Sequence, residues 1–395
     1  MKKKILIVDD SALMRRVLCD IINSDDRFEV VDYAVDGAEG FKKICAKTYD
    51  AVVLDVYMPR MTGLEMLREM QKSKVYANVL MASTTTGEGA KETIESLELG
   101  AVDFIKKPEN VADARHEEFR KRFLSLLDVV SKANNNHMAR AGKANAGSGK
   151  AGPTFTSRYD VNFHTAVKPP MQSSVSRAGS TVESKKVETA SVERSFTPPT
   201  NVRGNKLVAI ASSTGGPKAL QEVIPYLPKN LKAPVLLVQH MPKGFTKSLA
   251  DRLDELSQIK VTEAIEGETI TNGHVYIAQG GLHLKAEKNG TSYKLRLTDE
   301  PTREGVKPCA NYMYESLMDS HFDEVVCVVL TGMGCDGTAG IVELKKKKNV
   351  RVIAQDEESC TVYGMPRSIV DGGLADDVVP LSKVAEHIIK NVGVY

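Results

Sequence analysis

From about Ala133 to Asn201 the chain carries no sustained apolar period. The stretch is built of Ala, Gly, Ser, Thr and Lys, and Asn134-Asn135-Asn136, Pro169-Pro170 and Pro198-Pro199 interrupt it. Such a segment cannot bury enough apolar surface to offset the entropy of ordering its backbone, so it predicts a flexible linker. Its ~70 residues have an expected root-mean-square span of roughly 45 Å. The rest of the chain must then fold as bodies on either side. Length agrees, because 395 residues exceed the ~250–300 at which single cores stop growing. The expected division is residues 1–125, a linker over 126–203, and residues 204–395.

Composition enters mainly through its distribution. Hydrophobic residues at 42% and charged residues at 26% exclude a wholly disordered, collagen-like or disulfide-scaffold chain. The formal charge of +2 is −3 over residues 1–110, +7 over 111–203 and −2 over 204–395, so the basic excess sits in the linker. With no lysine-arginine cluster interleaved with aromatics, it reads as a solvated tether and not as a nucleic-acid surface. The six cysteines show no CxxC pair or zinc-ligand spacing, which predicts reduced thiols and a cytoplasmic chain. The basic start Met1-Lys2-Lys3-Lys4 is followed by an apolar run, Ile5–Val8, too short for a signal peptide. No run approaches the ~18 apolar residues of a membrane span, so no membrane insertion is expected.

Both outer regions alternate short apolar runs with amphipathic stretches. In the first, Ile5–Val8, Ala51–Leu54 and Val79–Ala82 read as buried strands, and Ala12–Ile22, Gly37–Cys45, Gly63–Lys72 and Ala90–Leu99 as helices. A closing helix is expected from Ala112 to about Ser131. In the second, Leu207–Ala211, Val235–Val238, Val275–Ala278, Val325–Leu330 and Val350–Ala354 have strand length. The fold class is α/β, with two doubly wound parallel-sheet domains, the first flavodoxin-like and the second Rossmann-like.

In such sheets the carboxyl ends of the strands converge on one edge, where ligands bind. At that edge of the first domain fall Asp9-Asp10, Asp55, Ser83 and Lys107 before Pro108. Three carboxylates there repel one another unless a divalent cation neutralises them, and a lysine suits incoming phosphoryl oxygens. Asp9 alone reads equally well as a helix cap, and Lys-Pro alone as a turn. Together, ILIVDDS, VVLDVYMPRMTG, VLMAS and Lys107-Pro108 resemble the receiver domain of two-component response regulators. The resemblance implies Asp55 as phosphoacceptor, Ser83 and Lys107 as switch residues, and Mg²⁺ held at Asp9, Asp10 and Asp55 with the Tyr57 carbonyl. Tyr57 and Thr62 stand where that family often has acidic residues.

In the second domain a strand runs into Ser212-Ser213-Thr214-Gly215-Gly216-Pro217 and a helix expected from Lys218. A strand-to-helix turn suits a serine nucleophile with backbone N–H groups for an oxyanion, and suits a phosphate cradle as well. Against the cradle, GxGxxG and GK[ST] are absent. His240 follows Val235–Gln239 at the same edge and is the favoured base; His283 and His321 are weaker alternatives. Asp336, in the loop Thr331–Gly337, is the orienting acid, or else a helix cap. Here AIASSTGGP, VQHMPKGFTKSLADRL, GHVYIAQGGLH, VVLTGMGCDGTAG and SCTVYGMPRSI resemble the catalytic domain of chemotaxis protein-glutamate methylesterases.

That resemblance implies Ser213 as nucleophile, His240 as base and Asp336 as orienter, with the Thr214 and Met333 N–H groups as oxyanion donors and no cofactor for the esterase. It implies hydrolysis of glutamate methyl esters on chemoreceptors, deamidation of receptor glutamines, and a chemotaxis histidine kinase as phosphodonor. Ser212 replaces the family's small Ala, and Cys335 its common Asn. Two rivals stand beside it: a non-enzymatic response regulator binding a nucleotide or partner at STGGP, and a transcription regulator. A net charge of −2 over 204–395 without a basic recognition helix argues against the second rival.

Overall fold

In the computed structural model, the described residues are 1–83, 87–108, 113–114, 116–133 and 204–395. The expected linker core therefore lies outside the described residues. In the N-terminal domain, β1 (Lys3–Val8), β2 (Phe28–Ala34), β3 (Ala51–Asp55), β4 (Val79–Ser83) and β5 (Asp103–Lys106) alternate with α1 (Ala12–Asn23), α2 (Gly37–Ala46), α3 (Gly63–Lys72) and α4 (Gly87–Glu98). Helix α5 (Glu117–Lys132) follows. The strands form one sheet in the order β2-β1-β3-β4-β5, every pairing parallel.

Because side chains alternate along a strand, one face sends Ile5, Ile7, Val53 and Leu80 toward α1 and α5. The other sends Leu6, Val8, Val52 and Leu54 toward the face covered by Met66, Leu67 and Met70 of α3. Caps set the helix starts: Ser11 accepts from the Met14 N–H, Asp36 from Glu39, and Thr62 and Glu65 form a reciprocal capping box. The closing helix begins at Glu117, and residues 109–112 and 115 lie outside the description. Strand β2, FEVVDYA, carries no continuous apolar run because, as an edge strand, it is half exposed.

In the C-terminal domain the elements run β6 (Lys206–Ser212), α6 (Gly216–Gln221), β7 (Val235–Gln239), α7 (Phe245–Leu256), β8 (Lys260–Glu263), β9 (His274–Ile277), β10 (His283–Asn289), β11 (Ser292–Thr298) and α8 (Ala310–Ser316). Then come β12 (Glu324–Val329), α9 (Thr338–Lys345), β13 (Asn349–Gln355), α10 (Met365–Asp371), β14 (Asp377–Val379) and α11 (Leu381–Val392). Seven strands form a parallel sheet in the order β14-β13-β12-β6-β7-β9-β8, which puts β6 at the centre. The hairpin β10–β11 stands apart as an antiparallel pair turning at Asn289–Ser292. Strand β9 begins at His274, one residue before the apolar run Val275–Ala278.

The two domains touch. The rings of Phe104 and Phe245 lie 4.6 Å apart between centroids, and Arg252 on α7 grips both carboxylate oxygens of Glu98 on α4, at 2.7 and 3.0 Å. Among the described residues, no helix is long and apolar enough to cross a membrane.

Candidate active site

At the carboxyl edge of the N-terminal sheet, β1 delivers Asp9 and β3 delivers Asp55, both buried, beside the exposed Asp10. One carboxylate oxygen from each of the three lies within 4.8 Å of the others, a set able to hold a metal ion. Lys107, just past β5, reaches Asp9 Oδ2 and Asp55 Oδ2, each at 2.6 Å. Burial pushes the Asp55 carboxyl up to about 6, against the pull of Lys107; Asp9 adds to the rise and the Tyr57 N–H opposes it. Fully buried Ser83 accepts a hydrogen bond from Thr93 Oγ1 at 2.7 Å and donates to the Gly89 carbonyl at 3.3 Å, so its hydroxyl is tied to α4.

In the C-terminal domain, β6 and β7 end side by side, with Ser212 opposite Gln239 in register. The next residues, Ser213 and His240, therefore emerge together, and the His240 N–H donates to the Ser212 carbonyl at 3.1 Å. Gln239, itself buried, locks this corner. Its Oε1 accepts from Ser212 Oγ at 2.7 Å and its Nε2 donates to the Ser213 carbonyl at 2.9 Å. Ser212 is thereby a buried structural hydroxyl, and half-buried Ser213 is the one that faces the edge.

His240 Nε2 lies 2.7 Å from Asp336 Oδ2. Burial works against the Asp336 charge, but the His240 ring, the Cys309 thiol and the Ala310 N–H together hold its pKa below the usual carboxylate range. An ionised Asp336 requires the proton of this bond on Nε2, which leaves Nδ1 of His240 as the basic atom. Among the described residues, Ser213 Oγ makes no hydrogen bond to His240 or to any other group.

Loop Thr331–Gly337 completes the edge. The Thr331 carbonyl accepts the Ser213 N–H at 3.0 Å and its hydroxyl donates to the Thr214 carbonyl at 3.0 Å, while buried Gln355 accepts the Thr331 N–H at 2.8 Å. A Cβ on Gly332 would stand 2.4 Å from Met365 Sδ and 2.7 Å from Ser213 Cβ, so only glycine fits there. Among the described residues, the N–H groups of Thr214 and Met333 donate to no protein oxygen. Exposed Cys335 donates its thiol to Glu304 Oε2 at 3.3 Å, and this carboxylate first, then burial, raises its pKa. His283 lies beyond Asp336, against Cys309. His321 packs on Tyr293 and Phe322.

Sequence reasoning did not single out Gln239, Gln355, Cys309 or Asn311, which hold the loops in place. A buried polar residue beside a motif is a detectable signal for Gln239. Cys309 and Asn311 meet Asp336 only through the tertiary fold, because more than twenty residues separate them.

Comparison with known proteins adds the following. A family described as CheB methylesterase matches residues 208–388, and one described as response regulator receiver domain matches residues 5–117. The protein-glutamate methylesterase/protein-glutamine glutaminase 1 of Syntrophomonas wolfei is 38% identical over 392 residues, covering 98% of this chain and 99% of its own. That of Geobacillus kaustophilus is 37% identical over 390 residues, covering 99% of each. The crystal structure of the Thermotoga maritima CheB methylesterase catalytic domain is 43% identical, covers 48% of this chain and 99% of its own, and has a TM-score of 0.46. With both halves matched and curated relatives alike from end to end, the chain belongs to the two-domain chemotaxis response-regulator methylesterases, with a receiver domain and a methylesterase domain.

Proposed function

We propose that Ser213, His240 and Asp336 carry out the hydrolysis in this chain, a protein-glutamate methylesterase/protein-glutamine glutaminase acting on chemoreceptors. The 2.7 Å contact of His240 with Asp336, at the edge where β6 releases Ser213, is the observation that carries this assignment. Asp336 fixes the tautomer, and His240 Nδ1 takes the Ser213 hydroxyl proton as Oγ attacks the side-chain carbonyl of a methylated glutamate. Serine-base bonds are often loose in a free enzyme and tighten with substrate seated. The unengaged N–H groups of Thr214 and Met333 stabilise the oxyanion. As the C–O bond to methoxide breaks, His240 returns the proton and methanol leaves. Water then attacks the acyl-enzyme, giving glutamate and free Ser213. With a glutamine substrate the leaving group is ammonia.

Methanol release from methylated receptor membranes tests this directly. Ser213→Ala abolishes it and Ser212→Ala retains it, and the reverse pattern would overturn the assignment. Labelling of Ser213 by an organophosphonate separates an esterase from a binding module at STGGP.

Asp55 is the phosphoacceptor, supplied by a chemotaxis histidine kinase. Asp9, Asp10 and Asp55 fit a hard divalent cation such as Mg²⁺, since their oxygens cluster and neutralisation is otherwise partial. When bound, the ion screens these carboxylates and the oxygens of an incoming phosphoryl group. Lys107 holds the remaining charge, and Ser83 passes the change to α4 through Thr93. Helix α4 packs on α7 and α6, and burial raises the pKa of Asp103 of β5, an effect that the nearby Thr214 hydroxyl partly offsets. These contacts support a receiver domain that restrains the nucleophile turn until phosphorylation loosens it.

A further inference from the structure

Four donors hold the Asp336 carboxylate, and only His240 belongs to the reaction sequence above. Oδ1 accepts the Cys309 thiol at 3.0 Å and the Asn311 N–H at 3.0 Å, while Oδ2 accepts the Ala310 N–H at 2.6 Å beside His240 Nε2. Cys309 is fully buried, so water cannot replace its thiol. Its backbone is pinned in turn: the Cys309 N–H donates to His283 Nδ1 at 3.1 Å, and His283 Nε2 donates to the Pro301 carbonyl at 3.2 Å. His283 is itself buried, and its ring lies tilted against Tyr312, with ring centroids 4.4 Å apart. Burial lowers the His283 pKa and raises that of Cys309, which keeps the ring neutral and the thiol protonated. A continuous line of hydrogen bonds thus runs from Pro301 through His283, Cys309 and Asp336 to His240.

We propose that Cys309 is a positioning residue of the esterase, whose thiol holds Oδ1 of Asp336 so that Oδ2 stays aimed at His240; this rests on the assignment of His240 and Asp336 made above. Nothing in the catalytic cycle needs the thiol itself to react. Removing the donor leaves a buried carboxylate oxygen one bond short. The carboxylate becomes more basic and less firmly oriented, so it favours the protonated His240 ring and aims it less well. The other ionisable groups about Asp336 are Cys335 and Tyr314, both pushed upward, and Glu304, which meets Cys335 Sγ and Asn311 Nδ2.

The expected result for Cys309→Ala is a kcat roughly tenfold lower with KM little changed, and an acidic limb of kcat/KM displaced to higher pH. Cys309→Ser, which restores a donor, brings kcat back to within about threefold and returns the limb. An alanine variant with wild-type kcat and an unmoved limb overturns the proposal, as does a serine variant as impaired as alanine. Asp336→Asn is assayed alongside. If it keeps full activity, the catalytic assignment itself fails; if it collapses while Cys309→Ala is normal, only the role of Cys309 fails. One measurement does not depend on how the alanine variant folds. In the unsubstituted protein the S–H stretching band lost in Cys309→Ser lies at a hydrogen-bonded frequency, and a free-thiol frequency overturns the proposal.

Discussion

Single buried side chains decide how the esterase domain responds to pH. His274 donates or accepts at Thr262 Oγ1, 2.8 Å away, and its ring packs tilted on Tyr276 with centroids 3.9 Å apart. Burial first, then Lys260, lowers its pKa to about 4. The unfolded chain binds this proton near pH 6.5, so the folded state loses stability as pH falls from there toward 4, at most about 3 kcal/mol. Above pH 6.5 the full contribution is present. We expect Tm to drop on going from pH 7 to pH 4.5 and to drop less in His274→Gln; equal losses in the two proteins would remove His274 as the cause. The same scale separates the two adjacent serines. Sequence offered two hydroxyls in one turn, and the Gln239 amide identifies Ser212 as the one buried for structure.

Helices α4 and α7 are the elements through which the two domains meet. Glu98 and Arg252 form a bidentate pair at the rim of that contact, partly exposed and worth about 1 kcal/mol or less. Phe104 on Phe245 adds about 0.5–1.5 kcal/mol beyond its buried area. A contact built of such modest terms is separable, which a switch requires. Glu98→Arg is expected to raise methanol release by the unphosphorylated chain severalfold, and the double variant Glu98→Arg with Arg252→Glu to bring it back down. An unaltered rate in the single variant would take this pair out of the restraint. Elements differed in how readable they were. Central strands such as β1, β3, β6 and β12 appear in the sequence as continuous apolar runs because helices cover both faces. The edge strands β2, β8 and β14 and the hairpin β10–β11 carry polar positions facing water, so no such run marks them, although Asn289-Gly290 is a hairpin signal.

The whole molecule is a phosphate-read domain and a hydrolase on one chain, which makes their docking intramolecular and lets modest contacts hold it. A small phosphodonor is therefore expected to raise methanol release by the full chain, and the fragment 204–395 to exceed the unphosphorylated full chain. A fragment no more active than that chain would defeat the restraint. The sequence by itself determined the α/β class of both domains and the place of Asp9, Asp10, Asp55, Ser83, Lys107, Ser213, His240 and Asp336 at strand ends. Apolar periodicity and strand-end position are local properties that survive in one dimension. Only the tertiary structure decided that His240 uses Nε2 toward Asp336, that Cys309 and Asn311 brace the same carboxylate, and that Arg252 meets Glu98 from the other domain. Hydrogen bonds are short and directional, so which of several polar side chains meet is settled by packing between segments far apart along the chain.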